Sequence, residues 1–154
     1  MALAGLLHQN AIIPAMRANS KKQLLQELAA KASKITGLPE REIFDVILQR
    51  ERLGSTGVGN GIAIPHGKLN NLPSIIGIFA RLETSVDFEA LDDQPVDLVF
   101  LLLAPEGAGA DHLKALSRIA RVLRDQDMVA FFFNDTATTE IYTLLDDDAT
   151  SHAA

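Results

Sequence analysis

Two short, almost uninterrupted apolar runs constrain the fold of this chain more than any other feature. They are IIGIFARL, from Ile75 to Leu82, and VDLVFLLL, from Val96 to Leu103. Both are rich in β-branched or aromatic side chains and have turn residues outside them, so we predict two buried β-strands. The stretch DFEALDDQP between them is polar turn material. Strands that are apolar on both faces need cover on both faces.

Amphipathic helices are predicted on either side of these strands. The first runs from Ser20 to Lys34, with Asn19 or Ser20 as its N-cap, and ends at Gly37. The second runs from Pro39 to Leu53. Helices and strands alternate closely enough to indicate an α/β fold with helices on both faces of one sheet.

A third helix is predicted from Asp111 to Arg124, with Asp111 as its cap. Its apolar residues recur at helical spacing and predict the following buried stripe: Leu113, Leu116, Ile119, Ala120 and Leu123.

Composition limits the classes of function. A chain of 154 residues with 47% hydrophobic side chains predicts one soluble domain, residues 1–154. The net charge of −6 argues against nucleic acid as a partner. With no cysteine, disulfides and thiolate sites are excluded. Neither a signal peptide nor a membrane span is recognisable, so we expect a cytoplasmic protein with no membrane insertion.

A glycine-rich segment, GSTGVGNGIAIPHG from Gly54 to Gly67, contains five of the ten glycines of the chain. Its spacing fits neither the dinucleotide fingerprint nor the Walker loop. No G-x-S-x-G elbow surrounds Ser55, which argues against a serine hydrolase. Glycines allow backbone N–H groups to converge on an anion and allow another protein to approach closely. We therefore expect this segment to present a single imidazole, that of His66, with exposed backbone N–H groups around it.

A metal site is one alternative for this histidine. The chain has four histidines, His8, His66, His112 and His152, with no close pair and no HExxH motif. His66 and His112 could meet a carboxylate in space, as in a metal-dependent hydrolase, but zinc catalysis usually takes three protein ligands. We assign no role to His8 and His152, which lie near the termini.

The favoured interpretation makes His66 the reacting group. A neutral imidazole is a nucleophile, and phosphoryl transfer to it needs alignment and stabilisation of the charge on the phosphoryl oxygens. Ile62 and Ile64 would anchor the segment in the core, and Pro65 would fix the backbone before the ring. A second base and a cation would complete the site, and the candidates are His112 and Arg50.

The run from Glu51 to Gly67 resembles the phosphohistidine signature of IIA domains of the mannitol/fructose class. These domains belong to the bacterial phosphoenolpyruvate-dependent phosphotransferase system. The sequence RERLGSTGVGNGIAIPHGKL is similar to that of the nitrogen-regulatory members of the family. The stretches DDQPVDLVFLLLAP and DHLKALSRIARVL also resemble family sequences. The resemblance implies a three-layer α/β/α sandwich with a mixed β-sheet. It also implies that there is no metal or nucleotide cofactor.

The resemblance further implies a role for each site residue. His66 would accept the phosphoryl group as a tele-phosphohistidine, His112 would hydrogen-bond that group, and Arg50 would contact it electrostatically. The donor would be a histidine phosphocarrier protein of the nitrogen branch. The chain would then regulate target proteins, such as potassium transporters or sensor kinases, according to its phosphorylation state. It would also take part in nitrogen-linked gene control. The docking surface is expected to be apolar and to surround Ile62, Leu69 and Leu72.

A second function remains open from the sequence. The same chemistry would serve a sugar-specific IIA component that passes its phosphoryl group to a IIB domain of a fructose- or mannitol-type permease.

The C-terminal region departs from the family pattern. The family predicts a final amphipathic helix after Met128, yet the chain continues FFFNDTATTEIYT. The segment Asn134–Thr143 matches the in-frame translation of a common DNA-sequencing adapter. We therefore interpret it as an assembly artefact that replaces native residues, before a family-like tail resumes near Leu144.

Overall fold

The computed structural model describes residues 11–125. The two histidines near the termini, the segment Asn134–Thr143 and the helix expected after Met128 lie outside the described residues. The elements, in chain order, are β1 Ile12–Met16, α1 Lys21–Thr36, α2 Glu40–Leu53, β2 Gly57–Gly59, β3 Ile62–Ala63, β4 His66–Leu69, β5 Ile76–Val86, β6 Val96–Pro105 and α3 Ala110–Arg124.

The strands form one mixed, six-stranded sheet in the order β1-β5-β6-β3-β2, with β4 also pairing with β6. Strands β5 and β6 are antiparallel, whereas β1 pairs with β5, and both β3 and β4 with β6, in parallel. The two predicted strands are thus confirmed at the centre of the sheet. Both are longer than expected and end at Val86 and Pro105. The sequence did not predict β1 or the short strands β2, β3 and β4.

Both faces of the sheet are buried, which explains why β5 and β6 are apolar without alternation. Ile78 and Leu101 point into a core shared with α1 and α2. Phe79 and Phe100, whose ring centroids are 5.6 Å apart, point into a second core shared with α3. Helices therefore cover both faces, and the predicted three-layer α/β/α arrangement is confirmed.

The ends of α1 and α2 follow local chemistry. Ser20 is the N-cap of α1, and its hydroxyl accepts a hydrogen bond from the Gln23 N–H at 3.1 Å. Gly37 ends the helix in the left-handed conformation, with φ of 76°, as predicted. Pro39 precedes the first turn of α2 as its N-cap residue. None of the helices described between residues 11 and 125 is long and apolar enough to cross a membrane.

The predicted stripe of α3 is wrong at Leu113 alone, since Ile119 and Leu123 are buried in the second core and Leu116 and Ala120 pack against it. Leu113 is 67% exposed, and the residues that α3 buries are His112, Ala115, Ile119, Val122 and Leu123. The small Ala115 lies fully buried on the second core, and this face turns Leu113 outward because neighbouring residues of a helix differ by about 100°. Asp111 is not the cap either: the helix begins at Ala110 after Gly109, without a side-chain cap hydrogen bond.

Candidate functional site

The glycine-rich segment connects α2 to β4 and is shaped by two glycines in particular. Asn60 and Gly61, with φ of 58° and 79°, form the tight turn between β2 and β3. Gly67 lies directly under α2, since a Cβ added there would be 2.5 Å from Val46 Cγ1. The second glycine therefore lets α2 approach β4 at the residue that follows His66.

His66 is fixed at the start of β4, opposite Leu102 of β6. Its Nδ1 lies 2.9 Å from the Ile64 carbonyl oxygen, and Arg50 Nε lies 3.2 Å from its Nε2. A carbonyl oxygen only accepts and an arginine N–H only donates. Both contacts therefore select one neutral tautomer, in which Nδ1 carries the proton and Nε2 carries the lone pair.

The surroundings of His66 favour this neutral form. Burial of the ring lowers its pKa below the ordinary value of 6.5, and the positive charge of Arg50 lowers it further. The hydrogen bond to Ile64 and the negative charge of Glu51 act in the opposite direction but do not outweigh burial. At neutral pH the Nε2 lone pair is consequently not lost to protonation, as nucleophilic attack requires.

His112 lies beside His66, although it comes 46 positions later in the chain. The two ring centroids are 5.4 Å apart, and the planes are tilted by 56°. His112 is buried in the first turn of α3, and its Nε2 has no hydrogen-bond partner. Its pKa is lowered by burial and then by the nearby His66 and Lys68. A buried polar atom without a partner is unusual in a folded protein, and it marks His112 as a candidate site residue.

An open pocket of about 570 Å³ joins these residues between the C-terminal half of α2, the start of β4 and the first turn of α3. His66, His112 and Arg50, the three residues singled out from the sequence, all line it. Arg52 and Lys68 add two further cations, and none of the described lining residues is acidic. Despite the overall charge of −6, the site is therefore locally cationic and complementary to a phosphoryl group.

The apolar surface expected around Ile62, Leu69 and Leu72 is not present. These side chains are only 6%, 1% and 5% exposed, because Ile62 packs in the core under α3 and the two leucines pack in the core under α1 and α2. The exposed apolar side chains near the site are Leu53, which lines the pocket and is 85% exposed, and Leu113 on α3.

Glu51 is a site residue that the sequence reasoning missed. Its carboxylate is buried at the end of α2, pairs with Lys21 Nζ at 2.9 Å and accepts hydrogen bonds from the backbone and hydroxyl of Thr56. A sequence signal did exist. Glu51 follows Ile43 and Ile47 at intervals of four residues, so all three share the buried face of α2.

Within residues 11–125 no group of three His, Cys, Asp or Glu side chains lies close enough together to hold a metal ion. The carboxylate that acts electrostatically on His66 is that of Glu51, and it is already engaged by Lys21 and Thr56.

Comparison with known proteins identifies the family. Residues 5–148 match the family described as phosphoenolpyruvate-dependent sugar phosphotransferase system, EIIA 2. A nitrogen regulatory protein of Bradyrhizobium diazoefficiens is 61% identical over 145 residues, covering 94% of this chain and 95% of that protein.

Two solved structures share the fold. The nitrogen regulatory protein IIA-Ntr of Neisseria meningitidis has a TM-score of 0.82 at 33% identity, covering 93% of this chain and 98% of that one. The mannitol IIA protein of Escherichia coli has a TM-score of 0.71 at 21% identity, covering 90% and 98% of the two chains, and shares the fold alone. The resemblance drawn from the glycine segment is confirmed, and this chain belongs to the EIIA 2 family of the phosphoenolpyruvate-dependent phosphotransferase system.

Proposed function

We propose that this protein accepts a phosphoryl group on Nε2 of His66 from a histidine phosphocarrier protein, and that it regulates partner proteins according to its phosphorylation state. The observation that carries the proposal is the tautomer of His66. Its Nδ1 is occupied by the Ile64 carbonyl group, which leaves the lone pair of Nε2 as the nucleophile in a cationic, open pocket.

The transfer step requires no net movement of a proton. The lone pair of His66 Nε2 attacks the phosphorus, and the N–P bond of the phosphohistidine donor breaks so that its electron pair returns to the donor ring. The proton stays on Nδ1 throughout, hydrogen-bonded to the Ile64 carbonyl oxygen. Because the acceptor ring is already neutral and oriented, the remaining requirement is in-line alignment of the two nitrogens with phosphorus.

Arg50 has two successive partners in this step. In the free protein its Nε–H donates to His66 Nε2 at 3.2 Å, and a second guanidinium nitrogen donates to the Gly54 carbonyl oxygen at 2.8 Å. When phosphorus approaches, the guanidinium leaves the lone pair and donates to a phosphoryl oxygen instead. His112 donates to another oxygen through its unsatisfied nitrogen, so both residues stabilise charge on the moving group.

Phosphorylation changes the charge of the site that partners meet. It adds a charge of about −1.5 to −2 to a pocket that is lined by Arg50, Arg52 and Lys68 and by no acidic residue among those described. The name of the Bradyrhizobium diazoefficiens relative supports a regulatory role over sugar-specific transfer to a IIB domain. We expect the targets to be potassium transporters, sensor kinases or proteins of nitrogen-linked gene control. We also expect the protein to act in the cytoplasm.

Labelling by phosphoenolpyruvate through the two upstream transfer proteins tests the proposal. We expect an acid-labile, base-stable label on the wild type and none on His66→Ala, with circular dichroism showing that the variant is folded. A labelled His66→Ala protein would refute the assignment of the acceptor. Hydrolytic activity that a chelator suppresses would favour the metal-dependent alternative.

Partner identity is tested separately. A pull-down compares the wild type with His66→Ala and His66→Asp. We expect the set of captured partner proteins to differ between the variant with a neutral side chain and the variant with an anionic one. Rapid loss of the label to a IIB domain would instead establish the sugar-specific function.

A further inference from the structure

A buried ion pair lies behind the phosphorylation site. The Glu51 side chain is 2% exposed and the Lys21 side chain 18% exposed, and Lys21 Nζ lies 2.9 Å from one of the carboxylate oxygens. The same ammonium group lies 4.5 Å from the centroid of the buried Phe88 ring. The pair therefore joins the last turn of α2 to the first turn of α1 in a water-poor environment.

This arrangement is not the least costly way to pack α2. A carboxylate in the last turn of a helix is opposed by the helix dipole, and burial of an ion pair carries a desolvation penalty. Ile43 and Ile47 on the same face show that an apolar side chain would suit the core. The presence of a carboxylate at this position is therefore explained only by a contact that an apolar side chain could not make.

That contact is with Thr56. Both carboxylate oxygens of Glu51 lie 3.2 Å from the Thr56 backbone nitrogen, and the Thr56 hydroxyl donates to one of them. The Thr56 carbonyl oxygen in turn accepts a hydrogen bond from the Ile64 N–H at 3.0 Å. Glu51 thus ties the end of α2 to the segment that leads into His66.

The contacts close a ring around the acceptor. Ile64 uses its N–H for Thr56 and its carbonyl oxygen for His66 Nδ1. On the other side, Arg50 precedes Glu51 in α2 and donates to His66 Nε2. Both nitrogens of the acceptor ring are therefore oriented by groups whose relative position depends on the contact between Glu51 and Thr56.

Building on the proposed function, we propose that Glu51 is a positioning residue for phosphoryl transfer. Its carboxylate acts as a hydrogen-bond acceptor for Thr56 and fixes Arg50 relative to His66, while Lys21 neutralises the buried charge. The acceptor capacity of the side chain matters for the reaction, whereas its charge acts on His66 only by partly opposing the lowering of the ring's pKa.

Two double variants separate these roles because neither contains the ion pair. Lys21→Met/Glu51→Gln keeps an oxygen that accepts from Thr56, whereas Lys21→Met/Glu51→Leu has none. We expect the glutamine variant to retain most of the single-turnover rate from the phosphorylated donor. The leucine variant is expected to lose about 100-fold, the scale set by a 1 Å misplacement. The loss should appear in the maximal rate, with the half-saturating donor concentration unchanged.

Three results would overturn the inference. The first is a leucine variant that transfers at the wild-type rate, and the second is a pair of double variants that are equally slow. The third is a leucine variant whose loss of transfer rate is no larger than that of Ile78→Val, a control in the buried sheet. If the leucine variant does not fold, Thr56→Val and Thr56→Ser replace the pair. Only valine removes the hydroxyl, so equal rates in those two variants would also overturn it.

Nuclear magnetic resonance of the His66 ring nitrogens distinguishes this inference from the proposed function. We expect the ¹⁵N shift of Nε2 in the glutamine variant to match the wild type, and that in the leucine variant to show loss of the Arg50 hydrogen bond. If the wild type takes no label but these shifts differ as expected, the phosphoryl-transfer function fails and the positioning contact stands. Identical shifts in all three proteins would reject the positioning role.

Discussion

Gly67→Ala tests whether close packing of α2 on β4 sets the geometry of the proposed acceptor site. The added Cβ would lie 2.5 Å from Val46 Cγ1, about 0.9 Å inside the 3.4 Å at which ordinary contact begins. Val46 Cβ is 3.8 Å away and does not clash. The conflict is therefore confined to one methyl group of a side chain that has one strongly preferred rotamer in a helix.

The overlap is relieved either by a strained Val46 rotamer or by an outward shift of α2 by about 0.9 Å. We expect overpacking to lower the free energy of unfolding by about 1–3 kcal/mol. Arg50 lies one helical turn after Val46, so the same shift lengthens its contact with His66. A displacement of this size should slow phosphoryl transfer by about 10- to 100-fold.

Chemical denaturation and single-turnover labelling measure the two effects. Val46→Ala removes the clashing methyl group, so the Gly67→Ala/Val46→Ala protein should be more stable and faster than the two single changes would predict if they were additive. The reasoning is refuted if Gly67→Ala matches the wild type in both measurements. It is equally refuted if Val46→Ala gives no relief in the double variant.

Three further predictions follow from the caps and histidines. Ser20→Ala should lower the free energy of unfolding by about 1 kcal/mol through loss of the α1 cap, whereas Asn19→Ala should not, as denaturation would show. His112→Ala should slow labelling without preventing it, and an unchanged rate would remove its proposed role. Because burial lowers the pKa of both His66 and His112 below 6.5, the unfolded chain binds more protons below that value, and stability should fall as the pH is lowered through it. Labelling of the folded protein should fall only at a pH below 6.5, where His66 becomes protonated at its lowered pKa. A rate that is constant down to the denaturing pH would contradict a neutral imidazole as the nucleophile.

Much of the architecture was predictable because it depends on local rules. Continuous apolar runs identified β5 and β6, and capping residues identified the start and end of α1. The short strands β2, β3 and β4 were not predictable in this way. They have two to four residues each and exist only because β6 and one another supply their hydrogen bonds.

The prediction failed where helical periodicity alone was used to decide which side chains of α3 are buried. Leu113 and His112 are neighbours, and hydrophobicity favoured the leucine for the interior, yet packing of Ala115 and Ile119 against the sheet buried the histidine. The assignment of Leu69 and Leu72 to a docking surface failed for a different reason, because the sequence does not show that α1 and α2 lie over them.

The sequence by itself determined that His66 ends a glycine-rich, apolar-anchored segment and that two doubly buried strands form the centre of an α/β sheet. These properties follow from side-chain chemistry and from spacing within a few residues. Only the tertiary structure decided which nitrogen of His66 keeps its lone pair, because that depends on Arg50, 16 residues away, and on the Ile64 carbonyl group. It also decided how the buried Glu51 carboxylate is compensated, because Lys21 and Thr56 converge on it from other parts of the chain.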